Sequence, residues 1–257
     1  MDIAALQTLK VRLEGTVCFV QIYRPEANNT INRQLILEFT EVLKMCEQQA
    51  SVVVVEGLPE VFCFGADFDA LSNSVSSGEV EDSVVGELYD IWFKLATGPY
   101  ISVAHVRGQV NAGGVGFVAS CDMVIADHSV VFSLSELLFG LYPACVIPFL
   151  ARRIGMQKAN YFTVSTQTIN LDQAHQWGLV DLPAVDSSVM LNRQLLRLRR
   201  LRKASIAHYK NYIRGLDESL QNSRDSALHN NEQMHLIPGV VEGIVRYVQT
   251  KQFPWEN

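Results

Sequence analysis

The hydrophobic pattern at the start of the chain alternates between strand-like and helix-like periods. In LKVRLEGTVCFVQIYRPE, alternation and β-branched residues predict two strands joined at Glu14–Gly15. The next stretch, INRQLILEFTEVLKMCEQQ, has apolar residues at helical spacing. Three residues before it are candidate helix caps: Asn28, Asn29 and Thr30. SVVVVEGLP then reads as a strand buried on both faces.

The same alternation continues through the middle of the chain and indicates an α/β fold. VFCFGADFDALS turns at Gly65–Ala66, and VVGELYDIWFKLAT has helical spacing. PYISVAHVRGQV reads as one more buried strand, and GGVGFVASCDMVIAD as a helix running into a strand. The small, polar and acidic segment from Leu71 to Ser83 predicts a mobile loop.

From about Asn192 onward the pattern is helical. We therefore expect a core over residues 1–191 that carries the site, and a helical region over 192–257. A chain of 257 residues is long enough to bury a core of this kind.

Composition narrows the class of protein. A hydrophobic fraction of 48% and a charged fraction of 19% are ordinary for a globular protein. No apolar run is long enough for a membrane span and no secretory signal is evident, so we expect a cytoplasmic protein. The net charge of -6 argues against nucleic-acid binding. Five scattered cysteines suggest reduced thiols, and no CxxC or HExxH motif supports a metal site.

Two glycine-containing turns are candidates for a binding site. FCFGADF and NAGGVG each end a strand and open a helix, where backbone N–H groups lack internal partners. Two such groups converging on one oxygen would form an oxyanion hole, and glycine would let a ligand approach closely. The alternative is that the glycines serve only tight turns and packing. A phosphate loop lacks support, because neither a P-loop signature nor GxGxxG is present.

Glu136 is the candidate acid or base. It lies between Leu134 and Leu137 in a largely apolar run, where a carboxyl group should have a raised pKa. The alternative is an exposed glutamate on a helix or turn.

These stretches, in this order, resemble the enoyl-CoA hydratase (crotonase) superfamily over nearly the whole chain. The resemblance implies an α/β spiral of ββα units with a C-terminal helical region that forms trimers or dimers of trimers. The quoted motifs that carry it are GQVNAGGVGFVASCDMVIAD, FCFGADF and SELLFGLYP.

The resemblance also assigns roles to residues. It implies that the N–H groups of Ala66 and Gly113 hold a thioester oxygen and that Glu136 is one of two catalytic glutamates. The second glutamate would fall at Gly116 and is missing here. Efficient hydration needs both acids, whereas one carboxyl group suffices to remove an α-proton and return it to a departing β-hydroxyl.

Three further residues are candidate substrate-binding helpers, each with a structural alternative. Asp67 would otherwise cap a helix, Asn111 would form a turn, and Tyr142 would be a packed ring with a satisfied hydroxyl.

Other stretches resemble one branch of the superfamily, the polyketide-biosynthesis enoyl-CoA hydratase homologues of β-branching cassettes. These stretches include RPEANNTIN, EGLPEVFCFGADF, IAHYK and QFPWE. The implied activity is that of a lyase that dehydrates 3-hydroxy-3-methylglutaryl-acyl carrier protein to 3-methylglutaconyl-acyl carrier protein. No cofactor is implied beyond the carrier's phosphopantetheine, and the partners are the carrier protein and other β-branching enzymes. An isomerase or hydratase acting on CoA thioesters, and a non-catalytic carrier-binding module, remain alternatives.

The run RLRRLRK stands out in an acidic protein and could dock an acidic carrier protein. A solvated helix face or a subunit contact is the alternative, because its arginines point in several directions on a helix. The basic residues are Arg197, Arg199, Arg200, Arg202 and Lys203. Apolar residues around this run could serve either trimer packing or an intrachain core: Leu195, Leu198, Leu201, Ile206, Tyr209, Tyr212 and Ile213.

Overall fold

The computed structural model describes residues 3–68 and 83–256. The expected loop from Leu71 to Ser83 lies outside these residues, except for Ser83, which begins a helix. The described strands are β1 (Leu9–Glu14), β2 (Val17–Ile22), β3 (Val52–Glu56), β4 (Val61–Cys63), β5 (Ile101–Val106), β6 (Gln109–Asn111), β7 (Met123–Asp127), β8 (Val131–Ser133), β9 (Ile169–Asn170) and β10 (Leu182–Ala184). The described α-helices are α1 (Arg33–Gln49), α2 (Ser83–Thr97), α3 (Gly113–Ser120), α4 (Ile147–Ile154), α5 (Met156–Ser165), α6 (Leu171–Trp177), α7 (Ser187–Leu198), α8 (Lys203–Leu216), α9 (Ser219–His235) and α10 (Val240–Thr250).

Within the described residues the strands form two sheets. The larger has six strands in the order β1-β2-β3-β5-β7-β10, and the smaller has four in the order β4-β6-β8-β9. β1 pairs antiparallel with β2, while the other pairs of the large sheet are parallel. In the small sheet, β4, β6 and β8 are parallel and β9 is antiparallel. The expected α/β class is therefore confirmed.

The central strand β3 is buried along its whole length, as its run of valines predicts. One face of the large sheet packs on a core that includes α1 and α2, and the other face packs on α7. All five cysteines are free and buried. Each helix in the described part of the chain is too short or too polar to cross a membrane.

The predicted capping of α1 is wrong. Asn32 caps this helix by accepting a hydrogen bond from the Leu35 N–H at 2.9 Å. Asn28 and Asn29 instead adopt left-handed backbone conformations, with φ of 50° and 53°. The Asn29 side chain is buried and donates to the carbonyl of Ile22 at 3.0 Å. These asparagines therefore form the turn before α1. Asparagine adopts the left-handed backbone conformation more readily than most other residues.

The prediction of a single strand over PYISVAHVRGQV is also wrong, because the extended segment is interrupted at Arg107–Gly108. β5 before the break belongs to the large sheet, and β6 after it belongs to the small sheet. Gly108 has φ of +65°, and a Cβ there would lie 2.1 Å from the Glu60 carbonyl oxygen. Only glycine fits this crossing from one sheet to the other.

Part of the apolar surface of the C-terminal helices is buried within the chain itself. Leu195, Leu198 and Ile206 are buried, whereas Tyr209 and Tyr212 are more than 60% exposed. The expected division at 191/192 falls within α7. Trimerisation through the exposed tyrosines stays a prediction.

Candidate active site

The two glycine-containing turns lie against each other. A Cβ placed on Gly65 would lie 2.8 Å from the Cβ of Ala112 and 3.6 Å from the nitrogen of Gly113. A Cβ on Gly113 would lie 3.9 Å from the Cα of Gly65. The residue type at Gly65 is fixed by this approach and by its φ of +91°. The structure thus brings Ala66 and Gly113 together from distant parts of the sequence.

The hydrogen bonds around Ala66 orient its amide. Ile31 bonds to both neighbours of Ala66, donating to the Gly65 carbonyl at 2.8 Å and accepting from the Asp67 N–H at 3.1 Å. Because amides alternate in direction along an extended segment, the Ala66 N–H points away from Ile31. It has no hydrogen-bond partner among the described residues.

The amide of Gly113 is the first of α3 and likewise makes no hydrogen bond within the described residues. Ala112 before it has φ of 50° and ψ of -119°, an unusual conformation for a residue with a side chain. The Ala112 N–H donates to the Ser133 carbonyl at 3.1 Å, which fixes this turn to β8. Backbone strain of this kind, held by surrounding contacts, is typical of functional sites.

Glu136 is the first residue of a short 3₁₀ helix, Glu136–Phe139, that follows β8. The residue is partly exposed, but its Oε2 atom is buried and has no hydrogen-bond partner among the described residues. Burial raises the pKa of its carboxyl group to about 7, and the nearby backbone N–H lowers it only in part. The predicted upward pKa shift is confirmed. A carboxyl group with this pKa can take and return a proton near neutral pH.

The space beside Gly116 is filled by the indole of Trp92. A Cβ on Gly116 would lie 2.5 Å from Cζ2, 2.6 Å from Cε2 and 2.8 Å from Cη2 of that ring. Trp92 is itself buried, and it packs edge-to-face on Phe117 and Phe149. A larger side chain at position 116 would therefore clash with this closely packed ring. This packing leaves no room for an acidic side chain at position 116.

Asn111 joins the segments that carry the site. Its Oδ1 accepts hydrogen bonds from the hydroxyls of Ser133 at 2.8 Å and Ser135 at 3.1 Å. Its Nδ2 donates to the Phe64 carbonyl at 3.4 Å. Ser135 precedes Glu136 and Phe64 precedes Gly65, so this one side chain links the acid's segment to both turns. These contacts suit a residue that positions the site, and contact of Asn111 with substrate stays a prediction.

Asp67 is held by an ion pair. Its Oδ2 accepts from Arg24 Nη1 and Nη2, both at 3.1 Å, and from the Thr30 hydroxyl at 3.1 Å. The Arg24 and Asp67 side chains are only 11% and 13% exposed. This pair anchors the turn that contains Ala66, and direct contact of Asp67 with substrate stays a prediction.

Tyr142 connects the segment after Glu136 to α9. Its hydroxyl donates to the Asn230 carbonyl at 3.1 Å, and its N–H contacts the sulfur of Met234 at 3.4 Å. The hydroxyl thus has a protein partner, as the structural alternative expects, and a role of Tyr142 toward substrate stays a prediction. The neighbouring Phe139 packs on Phe68 with ring centroids 5.2 Å apart.

Sequence reasoning missed Trp92, Arg24 and the two serines that bond Asn111. Trp92 lies at a regular helical position of α2, where an aromatic residue signals only a core contact. No local pattern indicates which glycine it faces. The described residues contain no cluster of side chains suited to hold a metal ion.

Comparison with known proteins agrees with this architecture. The family model for enoyl-CoA hydratase/isomerase matches residues 12–257. The chain belongs to this family and is an enzyme of its kind.

Individual relatives narrow the comparison. The chain is 53% identical over 258 residues to bacillaene synthase dehydratase PksH of Bacillus subtilis (strain 168), covering 100% of both chains. A crystal structure of a polyketide biosynthesis enoyl-CoA hydratase from Bacillus subtilis matches with a TM-score of 0.94 and 53% identity, over 97% of this chain and 100% of that one. An enoyl-CoA hydratase/isomerase from Xanthobacter autotrophicus Py2 matches with a TM-score of 0.85 over 96% of this chain and 94% of that one. At 18% identity, that likeness supports the fold alone.

Proposed function

We propose that this enzyme is a dehydratase of polyketide β-branching that converts 3-hydroxy-3-methylglutaryl-acyl carrier protein to 3-methylglutaconyl-acyl carrier protein. The observation that carries the proposal is the Glu136 carboxyl group with its buried Oε2 atom, linked through Asn111 to two turns whose amides lack partners among the described residues. The similarity to a dehydratase of bacillaene synthesis supports the reaction type and the polyketide setting.

The chemistry uses the two amides to stabilise an enolate. The thioester oxygen accepts from the N–H groups of Ala66 and Gly113, so negative charge that develops there meets donors fixed in advance. Each such donor is worth about 3 kcal/mol of transition-state stabilisation. Because both donors belong to the backbone, the side chain at Ala66 has little influence and the conformation of its turn has much.

Glu136 moves the proton. Its carboxylate takes the α-proton, and the C–H electrons form the enolate. The enolate then re-forms the thioester carbonyl and makes the Cα–Cβ double bond as the C–O bond to the β-hydroxyl breaks. Glu136 returns its proton to that hydroxyl, which leaves as water. One carboxyl group serves both steps when the proton and the hydroxyl leave from the same face.

The direct test is mass spectrometry of a carrier protein loaded with the 3-hydroxy-3-methylglutaryl group. The native enzyme should remove one water, and Glu136→Gln should remove none. Glu41→Gln is the matched control, because Glu41 lies on the exposed face of α1 and pairs only with Lys44 among the contacts described. Equal turnover by Glu136→Gln and the native enzyme would remove the assignment.

The same assay separates the alternatives. Double-bond migration on a 3-enoyl thioester, with no loss of water from the hydroxy substrate, would identify an isomerase, which also works with one acid. Turnover of a coenzyme A thioester at the same efficiency would make the carrier protein unnecessary. Binding of the loaded carrier protein without reaction on either substrate would leave a non-catalytic module.

Only some residues of the basic run RLRRLRK are suited to bind the carrier protein. Lys203 is already engaged, because its ammonium group donates to the Ala50 carbonyl at 2.6 Å beyond the end of α1. Arg199 pairs with Glu14 at 3.1 Å. Arg200 is exposed, so a charge reversal at Arg199 and Arg200 tests docking without disturbing Lys203. Unchanged affinity for the carrier protein would assign this run to a solvated surface or a subunit contact.

A further inference from the structure

Two side-chain polar atoms of the described residues are buried without a hydrogen-bond partner, Glu136 Oε2 and Trp92 Nε1. Buried polar groups are nearly always paired in folded proteins, so each unpaired one requires an explanation. The proposed reaction explains Glu136, whose carboxyl group needs to stay free for the proton. It does not explain Trp92.

Trp92 lies along the same face of α3 as the oxyanion turn. Gly113 and Gly116 are three residues apart on this helix and therefore share a face. The Cζ2 atom of the indole would lie 3.8 Å from a Cβ on Gly113 and 2.5 Å from one on Gly116. Nε1 is bonded to Cε2, which would lie 2.6 Å from the same Cβ on Gly116. The unpaired N–H is thus one covalent bond from the ring edge that packs on α3. The first amide of α3, that of Gly113, is the one proposed to bind the thioester.

We propose that Trp92 is a catalytic residue whose indole N–H donates a hydrogen bond to the departing β-hydroxyl of the substrate. This inference rests on the proposed function. The proposal places the thioester oxygen at Gly113 and the β-carbon toward the next turn of α3, where the indole packs on Gly116. An indole N–H is a donor only and exchanges no proton with the hydroxyl. It therefore orients the oxygen while Glu136 supplies the proton.

The proposal predicts a spectroscopic signature in the indole N–H signals. The chain has three tryptophans, so a ¹⁵N-labelled sample gives three indole signals, which Trp→Phe variants assign. The 3-hydroxy-3-methylglutaryl thioester of pantetheine is titrated into Glu136→Gln, which binds without turnover. The Trp92 proton should move downfield, while those of Trp177 and Trp255 stay in place. The 3-methylglutaryl thioester, which lacks only the hydroxyl, should leave the Trp92 proton unmoved.

The backbone amides separate the failure of this inference from failure of the proposed function. If the Ala66 and Gly113 amide signals shift while the Trp92 signal does not, the proposed indole contact is wrong. The proposed dehydratase function is then unaffected. If neither amide signal moves at saturating thioester, the proposed function fails and the inference fails with it. Equal movement of the Trp92 signal with both thioesters would also overturn a contact to the hydroxyl.

Kinetics give a second readout. Trp92→Phe keeps an aromatic ring but removes the donor, and we expect kcat to fall at least about tenfold with a smaller change in KM. Trp177→Phe is the control, because the ring contacts of Trp177 are with Tyr161 and Phe162 instead of the glycines of α3, and it should leave both constants unchanged. Native kcat in a folded Trp92→Phe enzyme would overturn the proposal.

Discussion

The side-chain oxygen of Asn111 accepts a hydrogen bond from the hydroxyl of Ser135, the residue directly before Glu136. The acid's segment is thus linked by a side chain to the strand that leads into the Gly113 turn. Misplacing a catalytic group by about 1 Å can cost roughly a hundredfold in rate, so this link has a measurable consequence.

Asn111→Leu should lower kcat by about tenfold to a hundredfold, because the two serine hydroxyls and the Phe64 carbonyl lose their common partner. The dehydration assay measures the effect on a folded variant. Asn222→Leu, on an exposed position of α9, is the matched control and should keep the native rate. A native rate in Asn111→Leu would show that other contacts suffice to hold Glu136.

The rate of dehydration should depend on pH through Glu136. The carboxylate form takes the α-proton, and burial raises the pKa of this group to about 7. We therefore expect kcat/KM to rise with pH, with a midpoint of about 7, and to level off above it. Rates measured with a pantetheine thioester from about pH 5 to about pH 9 test this dependence. A profile that is already flat below about pH 6 would assign the base role to a more acidic group.

The same shift predicts a stability difference between the native chain and Glu136→Gln. The folded carboxyl group keeps its proton up to about pH 7, whereas an unfolded one loses it near its ordinary pKa of 4.5. The folded state therefore binds more protons in this window, and its stability falls as the pH rises through it. Glu136→Gln lacks this loss, so above pH 7 its free energy of unfolding should exceed that of the native chain by at most about 3 kcal/mol.

Urea unfolding of both proteins at about pH 5 and about pH 8 measures this difference. The difference in unfolding free energy between Glu136→Gln and the native chain should widen toward the higher pH. An identical gap at both values would contradict a raised pKa for Glu136 in the folded state.

Gly116→Ala should destabilise the protein by about 1 to 3 kcal/mol, because the added methyl group meets the rigid indole of Trp92. Gly215→Ala is the control within a helix. A Cβ there meets nothing within 4 Å, so it should stabilise by about 0.5 to 1 kcal/mol through helix propensity. Thermal unfolding of the two variants compares them. Similar changes would mean that Trp92 moves aside easily.

Arg24→Met should destabilise the chain by about 3 kcal/mol, because it removes a buried cation that donates two hydrogen bonds to Asp67. It should also lower activity, since Asp67 anchors the turn that presents the Ala66 amide. Lys44→Met removes an exposed ion pair and should leave the unfolding midpoint almost unchanged. Full activity in a destabilised Arg24→Met variant would separate the ion pair from the oxyanion turn.

Local sequence patterns predicted much of the fold and the chemistry-bearing positions. The valine run of β3 and the glycines of both turns carry their conformational requirements in their own residue types. The raised pKa of Glu136 follows from its apolar neighbours. The resemblance to a known family, rather than the pattern, supplied the roles of Ala66 and Gly113.

The misses share a physical cause, because each depends on contacts between residues far apart in sequence. Asn29 forms a turn instead of a cap because its side chain bonds to carbonyls that include that of Phe62. The break before Gly108 follows from the approach of Glu60, which no periodicity reveals. The position of Trp92 over Gly116 likewise depends on how α2 packs on α3.

The crossing at Gly108 separates the proposed site from the long strands of the core. The long buried strands lie in the six-stranded sheet, whereas the segments bearing Ala66, Gly113 and Glu136 follow β4, β6 and β8 of the small one. Substitutions at the ends of those three short strands can therefore change which acyl group is accepted while the larger sheet continues to specify the fold. In this chain we therefore expect substitutions that alter the reaction at the small sheet, and substitutions that prevent folding at the large one.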